Sequence, residues 1–193
     1  SHGYRQEAVH GGLPIYLAAL RPRMIELAAG LGDGVILNLF PQRALPRIVE
    51  HVARGALRAG KDPAQVEIVC RHQVAVTDDV QATRKLFRMM FASYYATPVY
   101  NEFLAWAGYG HAAQEIREGW AAGDRERTAA AISDAMIDEI AIIGTREQCQ
   151  QRVLDYARGG IHTHVVSCLG FEPAVVDATY RAFAPEHFGF RGI

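Results

Sequence analysis

The sequence contains no apolar run that approaches the roughly 20 residues needed to cross a bilayer, and it has no excess of either charge. Its 20 lysines and arginines stand against 21 aspartates and glutamates, which gives a formal net charge of -1. This balance provides no electrostatic reason to expect nucleic acid or a membrane surface as a partner. No secretory pattern is found at the start of the chain, and we expect a cytoplasmic protein.

Cysteine is scarce, and the motifs of nucleophilic or metal-dependent hydrolysis are missing. The three cysteines, Cys70, Cys149 and Cys168, are isolated in apolar stretches. We therefore expect buried, reduced thiols rather than a disulfide or a metal site. The sequence has no GxSxG, GxxxxGK[ST], HExxH or paired CxxC motif. No nucleophile with a positioned base can therefore be argued from the sequence.

A βαβ pattern is present between Leu13 and Asn38. The unbroken apolar run 15–20 predicts a parallel strand that is buried on both faces. Pro22 suits the first position of the following helix, because its fixed φ fits a helix start and its missing amide would be unpaired there. Asp33 and Gly34 then turn the chain into the strand VILN. The buried stripe of the helix is expected at Met24, Ile25, Ala28, Ala29 and Leu31.

The remaining chain adds two strands and several helices. Helical spacing between Pro41 and Gly60 predicts a helix with one face on a sheet. The runs 66–76 and 161–168 predict a third and a fourth strand, and a last helix is expected over 173–183. The apolar face of the helix before Gly60 is expected at Leu45, Ile48, Val49, Val52, Ala53, Ala56 and Leu57.

A long helical insertion follows the third strand. Asp78 or Asp79 can cap its first helix, which is interrupted at Thr97-Pro98. From there to Ile140 the pattern is helical and free of strands, as expected for a lid or a subunit interface. The inner face of the first helix is expected at Ala82, Leu86 and Met89 or Met90. The aromatic residues, which we expect to pack a helical layer or an interface rather than to stack on a flavin, are Tyr94, Tyr95, Tyr100, Trp106, Tyr109 and Trp120.

Several sequence blocks resemble one enzyme family. AALRPRM followed by LAAGLGDGVILN is similar to the AAxGPKM and LAGExADGVLLN signature of the bacterial luciferase-like monooxygenases, in particular those that use the deazaflavin coenzyme F420. Blocks similar to the C-terminal half of that family follow in the same order. They are VAVTDDVQATR, ATPVYNEFLAWAGYG and AAGDRERTAAAISDAMIDEIAIIGTREQCQQRVLDYARGGIHTHVV. The resemblance covers residues 13–170 and is specific for the family, not for a substrate.

The resemblance implies an α/β fold of the TIM-barrel type, (β/α)8, of which this chain supplies about four βα units. Matched in order, its strands would be the fifth to the eighth. A closed barrel needs eight units and typically about 250 residues. Residues 1–193 are therefore expected to form a single domain, the C-terminal half of a barrel, with the helical insertion at about 97–140. The first and last strands would present unpaired edges, so we expect a homo-oligomer or association with the missing barrel half.

The resemblance also implies a flavin- or deazaflavin-dependent oxidoreductase that transfers hydride between reduced F420, or alternatively FMN, and a small organic substrate. In this family the cofactor lies across the carboxyl ends of the strands, and turns after the fifth and sixth strands hold its phosphate-bearing tail. Asn38 would lie just beyond the second of these strands, and Arg23 could add a charge-assisted contact to phosphate. The cofactor-binding backbone is expected at Ala18, Ala19, Leu20 and Arg21.

One position departs from the family pattern. Arg21 stands where the family has a glycine before the proline. Glycine permits a close approach of backbone to ligand, whereas an arginine could replace that contact with a cation or fill the pocket. On the opposite interpretation, Arg21 and Arg23 are exposed charges at the start of a helix that binds nothing. The residues that act on the substrate in this family come largely from the missing half, and we assign no catalytic residue.

Three further features allow more than one interpretation. Gly144-Thr145 is a second possible phosphate-binding turn, but a plain capping box from Thr145 to Gln148 explains it as well. His162 and His164 have a spacing that can ligate a metal, yet no further ligand is identifiable and no metal is expected. His72 could point into the barrel mouth, although a hydrogen-bonded core histidine is the better interpretation.

Two other functions stay open from the sequence. A truncated homologue could have lost catalysis and act as a binding or assembly protein through its strand edges or its helical insertion. An unrelated barrel half that binds a sugar phosphate is also consistent with the phosphate-type turns, but that idea depends on fold analogy alone.

Overall fold

A parallel β-sheet with helices on one side and at its carboxyl end is the framework of the protein. The computed structural model describes residues 12–189. The predicted domain limits and the chain start, where no secretory pattern was found, lie outside these residues. Within them the strands are β1 (Tyr16–Ala18), β2 (Gly34–Asn38), β3 (Glu67–Val76), β4 (Ala141–Gly144) and β5 (Thr163–Cys168).

Strand β3 lies at the centre of the sheet. Its first half pairs with β2, so that Asn38 is opposite Arg71, and β2 in turn pairs with β1. The second half of β3 pairs with β4 on the same edge as β2. Strand β5 pairs along the other edge of β3, from Val69 to Val74. All of these pairs are parallel, so the strands end at one edge of the sheet, where ligands bind in α/β folds.

Three helices cover one face of the sheet, here called the helix-side face. They are α1 (Pro22–Leu31), α2 (Leu45–Arg58) and α8 (Arg146–Arg158). Their apolar residues enclose a core with the alternate side chains Ile68, Cys70 and Val74 of β3. The last helix, α9 (Pro173–Ala182), contacts the end of β3. Its Thr179 hydroxyl accepts a hydrogen bond from the Val76 amide at 3.0 Å.

The chain between β3 and β4 is helical throughout. It consists of α3 (Val80–Ala96), α4 (Pro98–Leu104), a π-helical turn (Ala105–Tyr109), α5 (Gly110–Ala121), α6 (Arg125–Ala130) and α7 (Asp134–Ile140). A second buried cluster joins these helices to the strand ends through Leu39, Ala75 and Leu169. The insertion is thus packed onto the carboxyl end of the sheet. None of the helices within residues 12–189 is both long and apolar enough to span a membrane.

Ion pairs and buried hydrogen bonds hold the insertion together. Arg84 bridges to Asp134 at 3.0 Å and to Asp138 at 2.5 Å, which ties α3 to α7. The buried amide of Asn101 donates to the carbonyl of Tyr95 at 3.1 Å and to that of Ala113 at 2.6 Å, which ties α4 to both neighbouring helices. These contacts favour a fixed layer over a hinged flap.

The first strand is shorter and more exposed than predicted. The run 15–20 was expected to be buried on both faces, but β1 spans Tyr16–Ala18 and Ile15 is 62% exposed. Within the described chain β1 has β2 as its neighbour on one edge, so its other edge and one face meet solvent. The same open side explains why Met24 and Leu31, assigned to the buried stripe of α1, are exposed.

Three other features of burial and secondary structure differ from the expectations. The inner face of α3 is Thr83, Phe87, Phe91 and Tyr95, not the predicted stripe of Ala82, Leu86 and Met89 or Met90. The larger aromatic side chains fill the second core, and the more flexible methionines are left at its margin. Strand β4 was not predicted, because four residues are too few to show an alternation. Leu57, placed on the buried face of α2, is exposed.

Helices α1 and α2 approach each other closely at Gly55. A Cβ atom at this position would lie 2.2 Å from the carbonyl oxygen of Glu26 and 2.6 Å from its Cα. Since those atoms belong to the backbone of α1, they cannot move aside without shifting the whole helix. The close contact therefore depends on glycine.

We expect Gly55→Ala to lower the free energy of unfolding by about 1 to 3 kcal/mol, because the added methyl group forces α1 away from α2. Urea denaturation followed by circular dichroism measures the change. Gly110→Ala is the matched control, since Gly110 has helical φ and ψ angles and open space around the position of a Cβ atom. Equal stabilities of the two variants would contradict the close-contact argument.

Candidate functional site

The second face of the sheet, here called the concave face, carries the alternate residues of each strand. The registers place Glu67, Val69, Arg71 and Gln73 of β3 on this face beside Thr163, Val165 and Ser167 of β5. His72 and His164 point to the opposite side, where the Tyr156 ring of α8 lies 4.7 Å from that of His72. The concave face is the side that a complete barrel would enclose.

Polar contacts close the amino end of the concave face. The hydroxyls of Tyr16 and Thr163 both donate to the carboxylate of Glu67. Gly34 permits this arrangement, because the Tyr16 ring covers the position where a side chain would stand. The hydrogen bond from Thr163, followed by that from Tyr16, keeps the pKa of Glu67 below its usual range. The Glu67 carboxylate is therefore a stable anion that already accepts hydrogen bonds from two hydroxyls.

An apolar layer follows the Glu67 layer in the direction of the carboxyl end of the concave face. The registers align Ala18, Ile36 and Val69 on β1, β2 and β3. On β5, Thr163 is opposite Val69, and Val165 lies two residues further along the same face. Val165 is 44% exposed and Ala18 is also exposed. An apolar surface open to solvent in the middle of a sheet is unusual unless another element or a ligand covers it.

The carboxyl end of the concave face carries a polar group of side chains. Asn38, Arg71, Gln73 and Ser167 are neighbours by register, and Arg71 Nη2 donates to Ser167 Oγ at 2.8 Å. Two buried atoms in this group, Asn38 Oδ1 and Gln73 Nε2, have no hydrogen-bond partner in the described part of the chain. Buried polar atoms without partners are costly and are a common feature of sites that bind a ligand.

The insertion reaches this group through Tyr100 of α4. The side chain is half-buried, and burial is the main reason why its pKa is raised. A hydrogen bond with Asn38 and the nearby charge of Arg71 act in the opposite direction. Tyr100 is therefore a contact between the helical layer and the strand ends, as a lid residue would be.

The predicted cofactor turn lies directly after β1. The Ala19 amide donates to the Ile36 carbonyl at 3.1 Å, which holds the turn against β2. Arg21 is the residue before α1 and gives the helix no side-chain cap, so the amides of the first turn have no such partner. Its guanidinium instead forms an ion pair with Glu102 of α4. Arg23 is exposed in the first turn of α1. The structure therefore brings Ala18, Ala19, Leu20, Arg21 and Arg23 together at the strand ends beside Asn38.

The second predicted turn, at Gly144 and Thr145, is arranged differently. Thr145 forms the predicted capping box with Gln148, in which each side chain bonds the other residue's backbone amide. Glu147 adds a negative charge in the first turn of α8. The turn lies at the end of β4, which pairs with the second half of β3, and is not part of the group around Asn38.

Buried His72 and half-buried His164 form a neutral pair between the sheet and α8. His72 Nε2 and His164 Nδ1 are 2.9 Å apart. Burial, and then the charge of His164, lowers the pKa of His72 to about 3, and burial lowers that of His164 to about 4. The prediction of a hydrogen-bonded core histidine at position 72 is confirmed.

The remaining metal and thiol expectations concern side chains outside the polar group. His162 lies before β5 rather than on it, contrary to the prediction, and its Nδ1 accepts from the Ile68 amide at 2.9 Å. Among residues 12–189 no group of three or more His, Cys, Asp or Glu side chains could hold a metal ion. Cys70 and Cys149 are buried and outside any disulfide, whereas Cys168 is only half-buried.

Sequence reasoning missed Arg71, Gln73, Ser167 and Tyr100. The signal was present, because Arg71 and Gln73 interrupt a strand that is otherwise almost entirely apolar. Their common face with Ser167 could not be read from the sequence, since it depends on the pairing of β3 with β5, and the helical insertion, β4 and α8 separate these two strands in chain order.

Comparisons with known proteins agree with this architecture. A sequence-family model described as luciferase-like monooxygenase matches residues 3–163. A 5,10-methylenetetrahydromethanopterin reductase of Archaeoglobus fulgidus is 28% identical over 161 residues, which cover 81% of this chain and 48% of the reductase. The chain therefore spans about half the length of the curated relatives it matches.

Solved structures with the same fold are also found. The coenzyme F420-dependent tetrahydromethanopterin reductase of Methanopyrus kandleri superposes with a TM-score of 0.66 at 19% identity, covering 86% of this chain and 48% of that one. A riboflavin lyase with modified FMN and riboflavin superposes with a TM-score of 0.65 at 12% identity, covering 95% and 44%. At these identities the likeness concerns the fold, and the predicted α/β fold of a partial barrel is confirmed.

The histidine pair predicts how stability depends on pH. Because both histidines are neutral when folded but titrate near pH 6.5 when unfolded, the unfolded state binds more protons at acid pH. We expect the free energy of unfolding to fall by about 1 to 3 kcal/mol per pH unit from pH 6.5 to pH 5. Urea unfolding at several pH values measures this slope.

The variant His72→Leu is expected to make this slope about half as steep, since one of the two bases is gone. His111→Gln, at an exposed position of α5, is the matched control and should leave the slope unchanged. If His72→Leu shows the slope of the unaltered protein, the pair does not determine the acid sensitivity.

Proposed function

The chain belongs to the luciferase-like monooxygenase family, and we propose that it is the C-terminal half of an oxidoreductase that uses F420 and acts on a small organic substrate. FMN is the alternative cofactor. The solved relatives include both an F420-dependent reductase and an FMN-containing lyase. F420 is the first choice because the sequence blocks match the F420-dependent members.

The observation that carries this proposal is the turn between β1 and α1 beside Asn38. The first turn of α1 has no side-chain cap, and a helix N-terminus favours a phosphate through its free amides and its dipole. Arg23 adds a cation at the same place. Asn38 Oδ1 is a buried acceptor with no hydrogen-bond partner among residues 12–189, which suits an N–H donor of a flavin or deazaflavin ring. The residues present therefore fit the cofactor.

When bound, F420 supplies or accepts a hydride. The side chains of this half would bind and orient it. The α1 turn would hold the phosphate-bearing tail and Asn38 would fix the ring. The insertion excludes water from the strand ends through its buried cluster with Leu39, Ala75 and Leu169.

Gly144 and Thr145 are a weaker part of the proposed cofactor site. Their helix already has a complete capping box, and Glu147 opposes an anion. A phosphate would have to displace the Gln148 side chain from the Thr145 amide, a hydrogen bond of 2.9 Å. We therefore place the phosphate at the α1 turn first.

Fluorescence titration of the intact polypeptide with F420 and with FMN tests the function. We expect saturable F420 binding, weakened about tenfold by Arg23→Ala because one charge-assisted contact to phosphate is lost. A deazaflavin that lacks the phosphate-bearing tail should bind the unaltered protein and Arg23→Ala equally. Arg117→Ala, on the exposed side of α5, is the control. Failure of the intact polypeptide to bind either coenzyme would end this proposal.

A second function, assembly through the sheet, is favoured by the open edge of β1. Leu13 and Ile15 are 74% and 62% exposed, next to an edge without a described neighbour. A strand edge of this kind pairs readily with another chain. On this alternative the protein is a non-catalytic half-barrel homologue that binds a partner or a second copy of itself.

Light scattering at micromolar concentration tests assembly. We expect a discrete dimer or larger oligomer, which Ile15→Lys shifts towards the monomer because a charge at the edge opposes pairing. Leu57→Lys is the matched control, since Leu57 is 65% exposed on α2, away from the strand edges. A stable monomer would count against association, whereas a stable dimer without cofactor or turnover would favour the non-catalytic alternative.

A further inference from the structure

Arg71 is placed unusually for an arginine of this protein. It lies on the central strand, is exposed on the concave face and donates to the Ser167 hydroxyl. Several arginines that link separate elements end on carboxylates: Arg21 on Glu102, Arg43 on Glu139, Arg58 on Glu26, Arg84 on Asp134 and Asp138, and Arg88 on Asp134. Arg47 and Arg152 instead donate to the backbone carbonyls of Trp106 and Asp138. Arg71 has no carboxylate partner among residues 12–189, so its charge is not neutralised there.

The acidic residue that shares its strand face is too distant to provide one. Glu67 lies four residues earlier on β3, which is about 13 Å along a strand. Its carboxylate already accepts from Tyr16 and Thr163 at the other end of the concave face. The residues that flank Arg71 by register, Asn38 and Val165, are uncharged. The carboxyl end of the face is therefore locally positive.

Gln73 supplies a second, independent observation. It is two residues further along the same face, opposite Ser167, and it is only 3% exposed. Its Nε2 atom has no hydrogen-bond partner in the described chain. A buried amide donor beside an unneutralised guanidinium and a hydroxyl forms a set of donors that matches the oxygens of a carboxylate or a phosphate.

The cofactor phosphate does not explain this group. The α1 turn follows β1, and Arg71 lies two strands away, which is about 10 Å across the sheet. The Arg71 side chain also points to Ser167 on β5, on the side of β3 that faces away from β1. A phosphate at the α1 turn would leave the donors of Arg71 and Gln73 unused.

We propose that Arg71, Gln73 and Ser167 form a subsite for an oxyanion of the substrate, either a carboxylate or a phosphate. This proposal names the substrate class and depends on the proposed function, in which the cofactor lies on the same concave face. The guanidinium binds the oxyanion through paired N–H donors, and the Gln73 amide and the Ser167 hydroxyl complete the set. The bound anion would fix the substrate next to the cofactor ring.

Calorimetric titration of the F420-loaded intact polypeptide with inorganic phosphate and with malonate tests this subsite. We expect saturable binding of at least one of the two, and the stronger one identifies phosphate or carboxylate as the substrate group. Arg71→Gln should weaken it about tenfold or more, because a charge-assisted, paired contact is lost. Arg71→Lys should weaken it less, because it keeps the charge but not the planar fork.

Controls separate this subsite from folding and from the cofactor. Arg117→Gln removes an exposed arginine of α5 and should bind the anion like the unaltered protein. Arg71→Gln should keep its thermal midpoint and lose much less F420 affinity than anion affinity, because the paired contact that it removes is to the anion. Absence of anion binding, equal anion affinity in Arg71→Gln, or a loss of F420 affinity as large as the loss of anion affinity would each overturn the proposal.

The two proposals fail separately. If the intact polypeptide binds F420 but neither anion, the oxyanion subsite is wrong and the proposed function stands. If it binds neither F420 nor FMN, the proposed function is wrong. Anion titration of the cofactor-free protein and of cofactor-free Arg71→Gln then decides whether the anion subsite exists without a bound cofactor.

Discussion

The pairing of β3 determines most of this structure. It contacts β2 and β4 on one edge and β5 on the other, so it fixes the relative height of every strand except β1. Its helix-side residues enter the core with α1, α2 and α8. Its other residues form the floor of the concave face. Because a slip of one residue would exchange these two sets, the register also determines that Arg71 faces the ligand side and His72 the core.

The concave face has the order expected of a barrel interior but lacks the enclosure. Bonded polar groups at Glu67 are followed by an apolar layer and then by polar groups with unused hydrogen-bonding atoms. In a closed barrel such layers are packed by the remaining strands. Val165 and Ala18 are accordingly exposed on this face. The polar groups at the strand ends thus differ from the apolar layer in having hydrogen-bonding atoms that are free for a ligand.

Local signals in the sequence predicted the helices and strands better than they predicted which of their side chains are buried. Pro22, Asp79 and the box from Thr145 to Gln148 begin helices where expected, because each acts through contacts within a few residues. Burial failed at Ile15 and along α3, because it depends on neighbours distant in sequence. The same holds for the site. The turn after β1 could be predicted from its residues, whereas Arg71 and Ser167 meet only through the pairing of β3 with β5.

The arginine that replaces the family's glycine is accommodated by the insertion. Arg21 extends from the turn to Glu102 of α4, and the ion pair neutralises its charge at the edge of the site. Its side chain is thereby directed towards the helical layer, and Arg23 is left as the cation beside the first turn of α1. Tyr100, two residues earlier in α4, contacts Asn38. A single helix thus contacts both parts of the predicted cofactor site, so the position of the insertion and the shape of the strand ends are coupled. This coupling gives the departure from the family pattern a structural role, because a glycine could not form this link between the turn and the insertion.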